Sequence, residues 1–258
     1  MRVAQQASGA ALPAATVAAV RDGQEGLEVL LVRRNRAGSF AGMWVFPGGR
    51  VDDGDLQAAV GDTTGDAVAS DHEGTIGSGN VGATSEVAAA RMAAVREAEE
   101  EAGLRLERDG LAVLSWWLAP TEAPRRFATW FFVAAAIPGS TVVVDRAEVH
   151  DHVWLAPAAA LARRHRGEMS LAPPTWMTLT WLSARPDVAS VLADAASRPP
   201  ERFVTRVVLS DSGELAAIVW EGDEAYEDGD LERPGGRRRL VTDGADGADW
   251  HFDATIVG

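Results

Sequence analysis

The chain has 258 residues, no cysteine and a formal net charge of −14 at pH 7. The absence of cysteine excludes disulfides, thiolate chemistry and cysteine-ligated zinc. The charge argues against non-specific nucleic-acid binding, because a polyanion would meet repulsion over most of the surface. No apolar run approaches the ~20 residues of a membrane span, and the N-terminal stretch lacks the pattern of a secretory signal. We therefore expect a cytoplasmic protein with one large domain, or one domain and a small extension.

The first part of the chain predicts a β-hairpin followed by a glycine turn. Residues 1–13 have the composition of a loose lead-in, whereas residues 16–22 and 27–33 have the apolar and β-branched content of two strands. Residues 45–49 predict a short strand that runs into the paired glycines Gly48 and Gly49. Because glycine has no Cβ, such a pair lets the backbone approach a ligand closely.

The middle of the chain predicts a flexible loop and then a long helix. Residues 58–83 are rich in glycine and polar residues and have no periodicity, which is typical of a loop. Residues 87–102 are rich in alanine and contain neither glycine nor proline, which favours a helix. Thr84 or Ser85 can cap its start, and Gly103 can end it.

Three carboxylates of this helix lie on one face. Glu97, Glu100 and Glu101 are three and four residues apart, so they fall within about one turn of each other. Carboxylates at this spacing repel one another, and a hard divalent cation is the usual reason for a protein to keep them together. Arg96 can neutralise or orient one of them. A solvated acidic surface is the alternative interpretation of the same pattern.

Residues 96–104 resemble the second half of the Nudix box, and residues 46–55 resemble its first half. Gly49 fits the first position of the box, and Asp55 stands where the family has its first glutamate. An insertion of about residues 56–83 separates the two halves. A split box is similar to the branch of the family that contains the peroxisomal coenzyme A diphosphatases.

The resemblance implies an α/β Nudix fold, in which a mixed β-sheet is sandwiched between α-helices. We expect the Nudix domain at residues 14–198 and a small β-rich C-terminal extension at residues 199–258 that packs on it. The family's cofactor would be Mg²⁺ or Mn²⁺, which suits oxygen ligands. The metal ligands implied are Gly48, Glu97, Glu100 and Glu101. The catalytic groups implied are Arg96, Glu97, Glu100, Glu101 and Glu148. Which carboxylate takes the proton stays open.

The second half of the chain predicts further strands and two helices. The strands are expected at residues 111–118, 127–134, 147–155, 203–209, 215–220 and 250–257, and the helices at residues 157–166 and 176–184. Arginines near strand ends can clamp a phosphate, with surface salt bridges as the alternative. The substrate-binding candidates are Arg34, Trp44, Arg125 and Arg126. For Trp44, core packing is the favoured interpretation.

The function implied by the resemblance is hydrolysis of a nucleoside diphosphate linked to another moiety. Coenzyme A or its esters are the first substrate candidates, and ADP-ribose, nucleotide sugars and dinucleoside polyphosphates are the alternatives. A non-catalytic nucleotide-binding regulator with the same fold is the competing hypothesis. We expect a small-molecule partner rather than a nucleic acid or a membrane, and a homodimer is left open.

Overall fold

The computed structural model describes residues 2–3, 10–35, 40–62, 79–145, 148–243 and 249–255. In the first half of the chain the elements are β1 (Arg2–Val3), β2 (Leu12–Gly23), β3 (Gly26–Arg34), β4 (Trp44–Val45), β5 (Gly48–Arg50), α1 (Asp53–Asp62), α2 (Gly79–Ala102), β6 (Ala112–Leu118) and β7 (Phe127–Ala135). In the second half they are β8 (Val149–Leu155), α3 (Pro157–His165), α4 (Pro173–Ser183), α5 (Val188–Ala196), β9 (Glu201–Val204), β10 (Arg206–Leu209), β11 (Leu215–Val219), β12 (Arg237–Asp243) and β13 (Asp249–Thr255). No helix within the described ranges is both long and apolar enough to cross a membrane.

The large sheet has eight strands and is mixed. Its main path runs β4-β3-β2-β7-β6-β9, while β5 pairs with β2 and β8 pairs with β3. The pairs β2–β7 and β6–β9 are parallel, and the other pairs are antiparallel. The hairpin predicted at residues 16–33 is formed by β2 and β3, which pair in antiparallel register with Val20 opposite Val29. The predicted α/β class with a mixed sheet is confirmed.

Helices cover both faces of this sheet. Along β2, Val17 and Ala19 pack in the cluster that contains the alanines of α2. The intervening residues Ala18 and Val20 pack in the cluster that contains side chains of α3, α4 and α5. This alternation follows from the two-residue period of a strand, and a strand buried on both faces reads as one continuous apolar run. The predicted sandwich of a sheet between helices is therefore confirmed.

A second sheet is formed near the C-terminus. It is antiparallel, with the order β1-β10-β11-β12-β13. Its Trp220 lies edge-on to Trp117 of the large sheet, with ring centroids 5.6 Å apart, and to Phe203 at 5.3 Å. Trp117 and Phe203 stack at 3.9 Å, so the two sheets share one aromatic core. The predicted β-rich extension is confirmed, and the boundary at residue 198 stays a prediction.

A buried ion pair fixes the loop between β11 and β12. The Asp223 side chain is 0% exposed and accepts hydrogen bonds from Nε and Nη2 of Arg239, which is 5% exposed. It also accepts from the backbone N–H groups of Ala225 and Arg238. Every oxygen of this buried carboxylate therefore has a donor, as burial of a charge requires.

The loop predicted at residues 58–83 is wrong at both ends. Helix α1 runs through Asp62, and helix α2 begins at Gly79 rather than near Thr84 or Ser85. Glycines in the first turns of α2 gave the sequence the appearance of a loop, but each costs a helix only about 1 kcal/mol, which tertiary packing can offset. The rest of the predicted loop, residues 63–78, lies outside the described residues.

Two further predictions of secondary structure are corrected, and two elements were not predicted. The lead-in at residues 1–13 contains β1 and the start of β2. The strand predicted at residues 203–209 is two strands in different sheets: β9 pairs with β6 of the large sheet, and β10 pairs with β1 and β11 of the second sheet. Helix α5 and strand β12 were not predicted. For α5 a signal was present, because Val188, Val191, Leu192 and Ala195 have helical spacing and Asp187 caps the helix.

Candidate active site

The candidate site lies at the sheet edge where β3 ends and β5 begins, against the last turns of α2. Glu101, from the last turn of α2, is its most buried carboxylate, with 4% of the side chain exposed. Its Oε1 is ion-paired with Nη1 of Arg34, and its Oε2 accepts a hydrogen bond of 3.0 Å from the backbone N–H of Gly48. Burial raises the pKa of Glu101 to about 7, although Arg34 and the Gly48 amide act to lower it.

Glu97 lies one turn earlier on α2, directly against the paired glycines. A Cβ at Gly49 would stand 2.2 Å from Oε1 of Glu97, and one at Gly48 would stand 2.4 Å from the carbonyl oxygen of Ala15. Gly48 therefore has to be glycine, because β2 approaches it through backbone atoms, whereas a Cβ at Gly49 would force the flexible Glu97 carboxylate to move away. Burial also raises the pKa of Glu97.

Arg96 connects the carboxylates of α1 and α2. Its Nε and Nη2 donate to the Asp55 carboxylate at 3.2 and 2.9 Å, and its Nη1 donates to Glu97 and Glu100, both at 2.9 Å. Nη2 also donates to the carbonyl of Arg50 at 3.0 Å. The hydrogen bonding of Arg96 to the Asp55 carboxylate is the largest of the effects that raise the pKa of Arg96 above its ordinary value. The guanidinium thus orients Glu97 and Glu100 from a buried anchor.

Asp55 is held in place by the start of α1. Its carboxylate, 5% exposed, accepts the backbone N–H of Asp52 at 2.9 Å, and the Asp52 carboxylate accepts the backbone N–H of Asp55 at the same distance. This reciprocal pair is a capping box built from two aspartates. It explains why the chain turns into a helix at Asp53 and why the side chain of Asp55 faces α2.

Glu148 completes the acidic group from another part of the chain. It precedes β8, its side chain is 60% exposed, and its Oε2 lies 3.3 Å from Nη2 of Arg34. Its charge acts to raise the pKa of both Glu97 and Glu101. The register of β3 and β8 shifts at Arg34, and this irregularity brings the residue before β8 to the end of β3.

The donor set suits a hard divalent cation, because all its side-chain donors are carboxylate oxygens. Within the described part of the chain, no three carboxylate or imidazole groups converge closely enough to hold a metal ion as they stand. Of the predicted ligands, Glu97 and Glu101 face the sheet edge. Glu100 is 58% exposed and faces Arg96.

The predicted substrate residues are distributed around this edge. Arg34 is paired with Glu101 and Glu148. Trp44 is 9% exposed and packs in the core, in agreement with the core interpretation. Arg125 and Arg126 line a surface recess of about 360 Å³ between the β6–β7 loop and the start of β2. Nε of Arg126 also donates to the carbonyl of Ala119 at 3.1 Å.

The recess and the carboxylates belong to the same end of the sheet. The backbone N–H of Leu12 donates to the carbonyl of Arg126, and the N–H of Val51 donates to the carbonyl of the next residue of β2, Pro13. The first residues of β2 therefore link the recess to the segment that leads from the glycine pair into α1.

Two contacts of the site were not found by sequence reasoning. The pairing of Arg34 with Glu101 joins residues far apart in the chain, so no local pattern marks it. The contact between Arg96 and Asp55 is also distant, but the Asp52-x-x-Asp55 spacing is a capping-box signal that could have predicted the start of α1. Arg36, a neighbour of Arg34 in sequence, lies outside the described residues.

Comparison with known proteins gives both a family match and a fold. Residues 11–60 match the NUDIX domain family. The NUDIX hydrolase of Alicyclobacillus acidocaldarius superposes with a TM-score of 0.58 and 23% identity, covering 72% of this chain and 97% of that one. The NUDIX domain of Shewanella oneidensis NrtR, complexed with ADP ribose, gives a TM-score of 0.44 and 18% identity over 67% of this chain and 86% of that one. A C. elegans Ap4A hydrolase superposes with a TM-score of 0.42 and 17% identity, covering 67% of this chain and 96% of that one.

Proposed function

We propose that the chain is a divalent-metal-dependent pyrophosphohydrolase of the Nudix type, since residues 11–60 match the NUDIX domain family and the fold superposes on that of a NUDIX hydrolase. Its substrate would be a nucleoside diphosphate linked to a second moiety. The observation that carries the proposal is the approach of Glu97 and Glu101 to the glycine pair at one sheet edge. A side chain at Gly49 would displace the Glu97 carboxylate from this position.

The residues that would hold the ion are Gly48, through its carbonyl oxygen, Glu97, Glu100 and Glu101. An ion bound there would neutralise the diphosphate oxygens and lower the pKa of a water molecule. The choice between Mg²⁺ and Mn²⁺ follows from the all-oxygen donor set and is left to the assay.

Two further roles, positioning the ligands and accepting a proton, fall to other side chains or to the ligands themselves. Arg96, anchored by Asp55, acts as a positioning residue for Glu97 and Glu100. The proton acceptor is one of the ligand carboxylates or Glu148. Burial raises the pKa of Glu101 to about 7 in the absence of an ion. A divalent ion on the same carboxylate would lower this pKa, so the choice of proton acceptor among these groups is left to mutation.

For the substrate, we propose coenzyme A or one of its esters. The split of the two half-motifs and the arginine pair before β7 resemble the branch of the family that acts on coenzyme A. The recess beside Arg125 and Arg126 offers guanidinium groups for a further phosphate, since a bidentate arginine–phosphate pair is both oriented and charge-assisted. ADP-ribose, nucleotide sugars and dinucleoside polyphosphates are the alternative substrates.

A panel of these diphosphates, assayed with Mg²⁺, with Mn²⁺ and with a chelator, tests the proposal. We expect one compound to be hydrolysed only when a metal is present. Glu97→Gln and Glu100→Gln should each lower kcat on the order of 10²-fold, because they remove ligand charge. Glu99→Gln is the matched control, since the Glu99 side chain is exposed and lies 3.4 Å from the exposed guanidinium of Arg105.

The outcomes separate the candidate functions. Full activity of Glu100→Gln would remove Glu100 from the site and leave the rest of the assignment standing. Tight binding of a nucleotide with no product at any metal concentration would favour the non-catalytic regulator. Lysine variants of Arg125 and Arg126 keep the charge and lose the fork, so a raised KM in either identifies the clamp.

A further inference from the structure

Arg34 occupies the space between two carboxylates that come from separate elements. It is the last residue of β3, and its side chain is 22% exposed. Nη1 is paired with Oε1 of Glu101 on α2, and Nη2 lies 3.3 Å from Oε2 of Glu148, just before β8. The two ends of one guanidinium thus bridge two acidic groups that would otherwise face each other.

Glu101 needs this positive charge when no ion is bound. Its side chain is almost fully buried, and the Gly48 amide supplies one donor but no full charge. Glu97 and Glu148 add negative charge nearby. Arg96 does not fill the need, because its guanidinium is engaged by Asp55 and by two other glutamates. Arg34 is therefore the cation that makes the buried carboxylate tolerable.

We propose that Arg34 is an exchangeable internal cation. It neutralises Glu101 and Glu148 in the metal-free protein and leaves this place when a divalent ion binds the same carboxylates. The inference rests on the proposed function, because it takes Glu101 as a metal ligand. After the exchange, the guanidinium stands at the rim of the site without a carboxylate partner, where a diphosphate oxygen can pair with it. Metal binding would then favour substrate binding, and by linkage substrate would favour metal.

Calorimetric titration of the full chain with Mn²⁺ alone tests the exchange. Arg34→Gln removes the competing cation, so we expect Mn²⁺ to bind about ten-fold more tightly than in the unmodified chain, and the metal-free variant to melt at a lower temperature. Arg33→Gln is the matched control, because it removes an equal charge one residue away. Arg33 faces Gly42 and the Trp44 ring instead of the acidic group, so its loss should leave Mn²⁺ affinity nearly unchanged.

A second measurement uses the unmodified chain and does not depend on the folding of a variant. The side-chain NMR signal of Arg34, assigned by through-bond connection to its own backbone amide, should shift when Mg²⁺, a diamagnetic ion, is added. The shift should follow the same titration curve as metal binding.

The outcomes distinguish this inference from the proposed function. Equal Mn²⁺ affinity in the unmodified chain and in Arg34→Gln, or an Arg34 signal that does not move with Mg²⁺, overturns the exchange and leaves the metal-dependent hydrolase intact. An equal gain in affinity from Arg33→Gln also overturns it, since a general field effect would then account for the gain. Failure of every form of the chain to bind Mn²⁺ overturns both.

Discussion

Replacing Asp55 by asparagine should weaken the link between α1 and α2. The change keeps the size of the side chain but removes the charge that receives Nε and Nη2 of Arg96. One amide oxygen can still accept a hydrogen bond, whereas the amide NH₂ group faces the guanidinium and repels it. Asp52 loses part of its reciprocal cap at the same time.

The magnitude follows from the burial of the two partners. Removing one partner of a fully buried ion pair costs about 3–5 kcal/mol. Asp55 is 5% exposed but Arg96 is 29% exposed, so water relieves part of the unpaired charge. We therefore expect a loss of about 2 kcal/mol, which lowers Tm by about 4–8 °C in a chain of this size. Glu97 and Glu100 should also lose their orientation, so kcat should fall with stability.

Scanning calorimetry of the metal-free protein at neutral pH measures the shift. Asp53→Asn is the matched control, because it changes an exposed carboxylate two residues away and should alter stability by less than about 0.5 kcal/mol. In a double-mutant cycle with Arg96→Gln, the two changes should be far from additive. Equal Tm values for Asp55→Asn and Asp53→Asn, or full additivity with Arg96→Gln, would refute the structural role of this pair.

Three further predictions concern pH, the second sheet and the segment between the helices. Because the pKa of Glu101 is about 7 in the folded chain against an ordinary 4.5, the folded state holds this proton more tightly. Its contribution to stability is therefore full below about pH 4.5 and is lost as pH rises through about 7. In a chelator, the Tm of the unmodified chain should fall between about pH 5 and about pH 8, and the Tm of Glu101→Gln should fall less steeply. Identical slopes of Tm against pH in the two forms would contradict this. Asp223→Asn should cost about 3–5 kcal/mol in urea unfolding, since it leaves the Arg239 charge buried without a partner; an unchanged midpoint would speak against that. Replacing residues 63–78 by a short Gly/Ser link should change the free energy of unfolding by only about 1 kcal/mol, because loop entropy grows slowly with length; loss of the cooperative transition would show that the segment is needed for folding.

The parts of the fold predicted from sequence are those with a distinctive local composition. Strands such as β2, β3 and β7 are continuous apolar runs, and the C-terminal part of α2 is rich in alanine, so their types were identified correctly. The start of α2 was missed because its glycines resemble a loop, and β9 was joined to β10 because a change of sheet at Thr205 leaves no mark in composition. Which residues pair across sheets depends on the whole chain.

The site shows the same division between local and distant information. The spacing of Glu97, Glu100 and Glu101 could be read on a helical period, and Arg96 was expected to orient a carboxylate, which it does. The sequence could not predict that Glu100 faces the solvent side of Arg96 or that a distant Arg34 pairs with Glu101. These contacts depend on where β3 ends relative to α2, and only the assembled sheet determines that.

The position of β2 at the centre of the large sheet has a consequence for synthesis. Its antiparallel partners β3 and β5 leave the ribosome soon after it, but its parallel partner β7 follows only after both half-motifs and α2. Until β7 emerges, one apolar edge of the nascent hairpin stays unpaired, which is a hazard for aggregation. The aromatic core also waits for Trp220 and, still later in the chain, for Trp250 and Phe252. Ribosome-bound chains that stop before β7 should therefore be open to proteases and held by chaperones, and resistance to digestion should arise only once β11 and β13 are outside the exit tunnel.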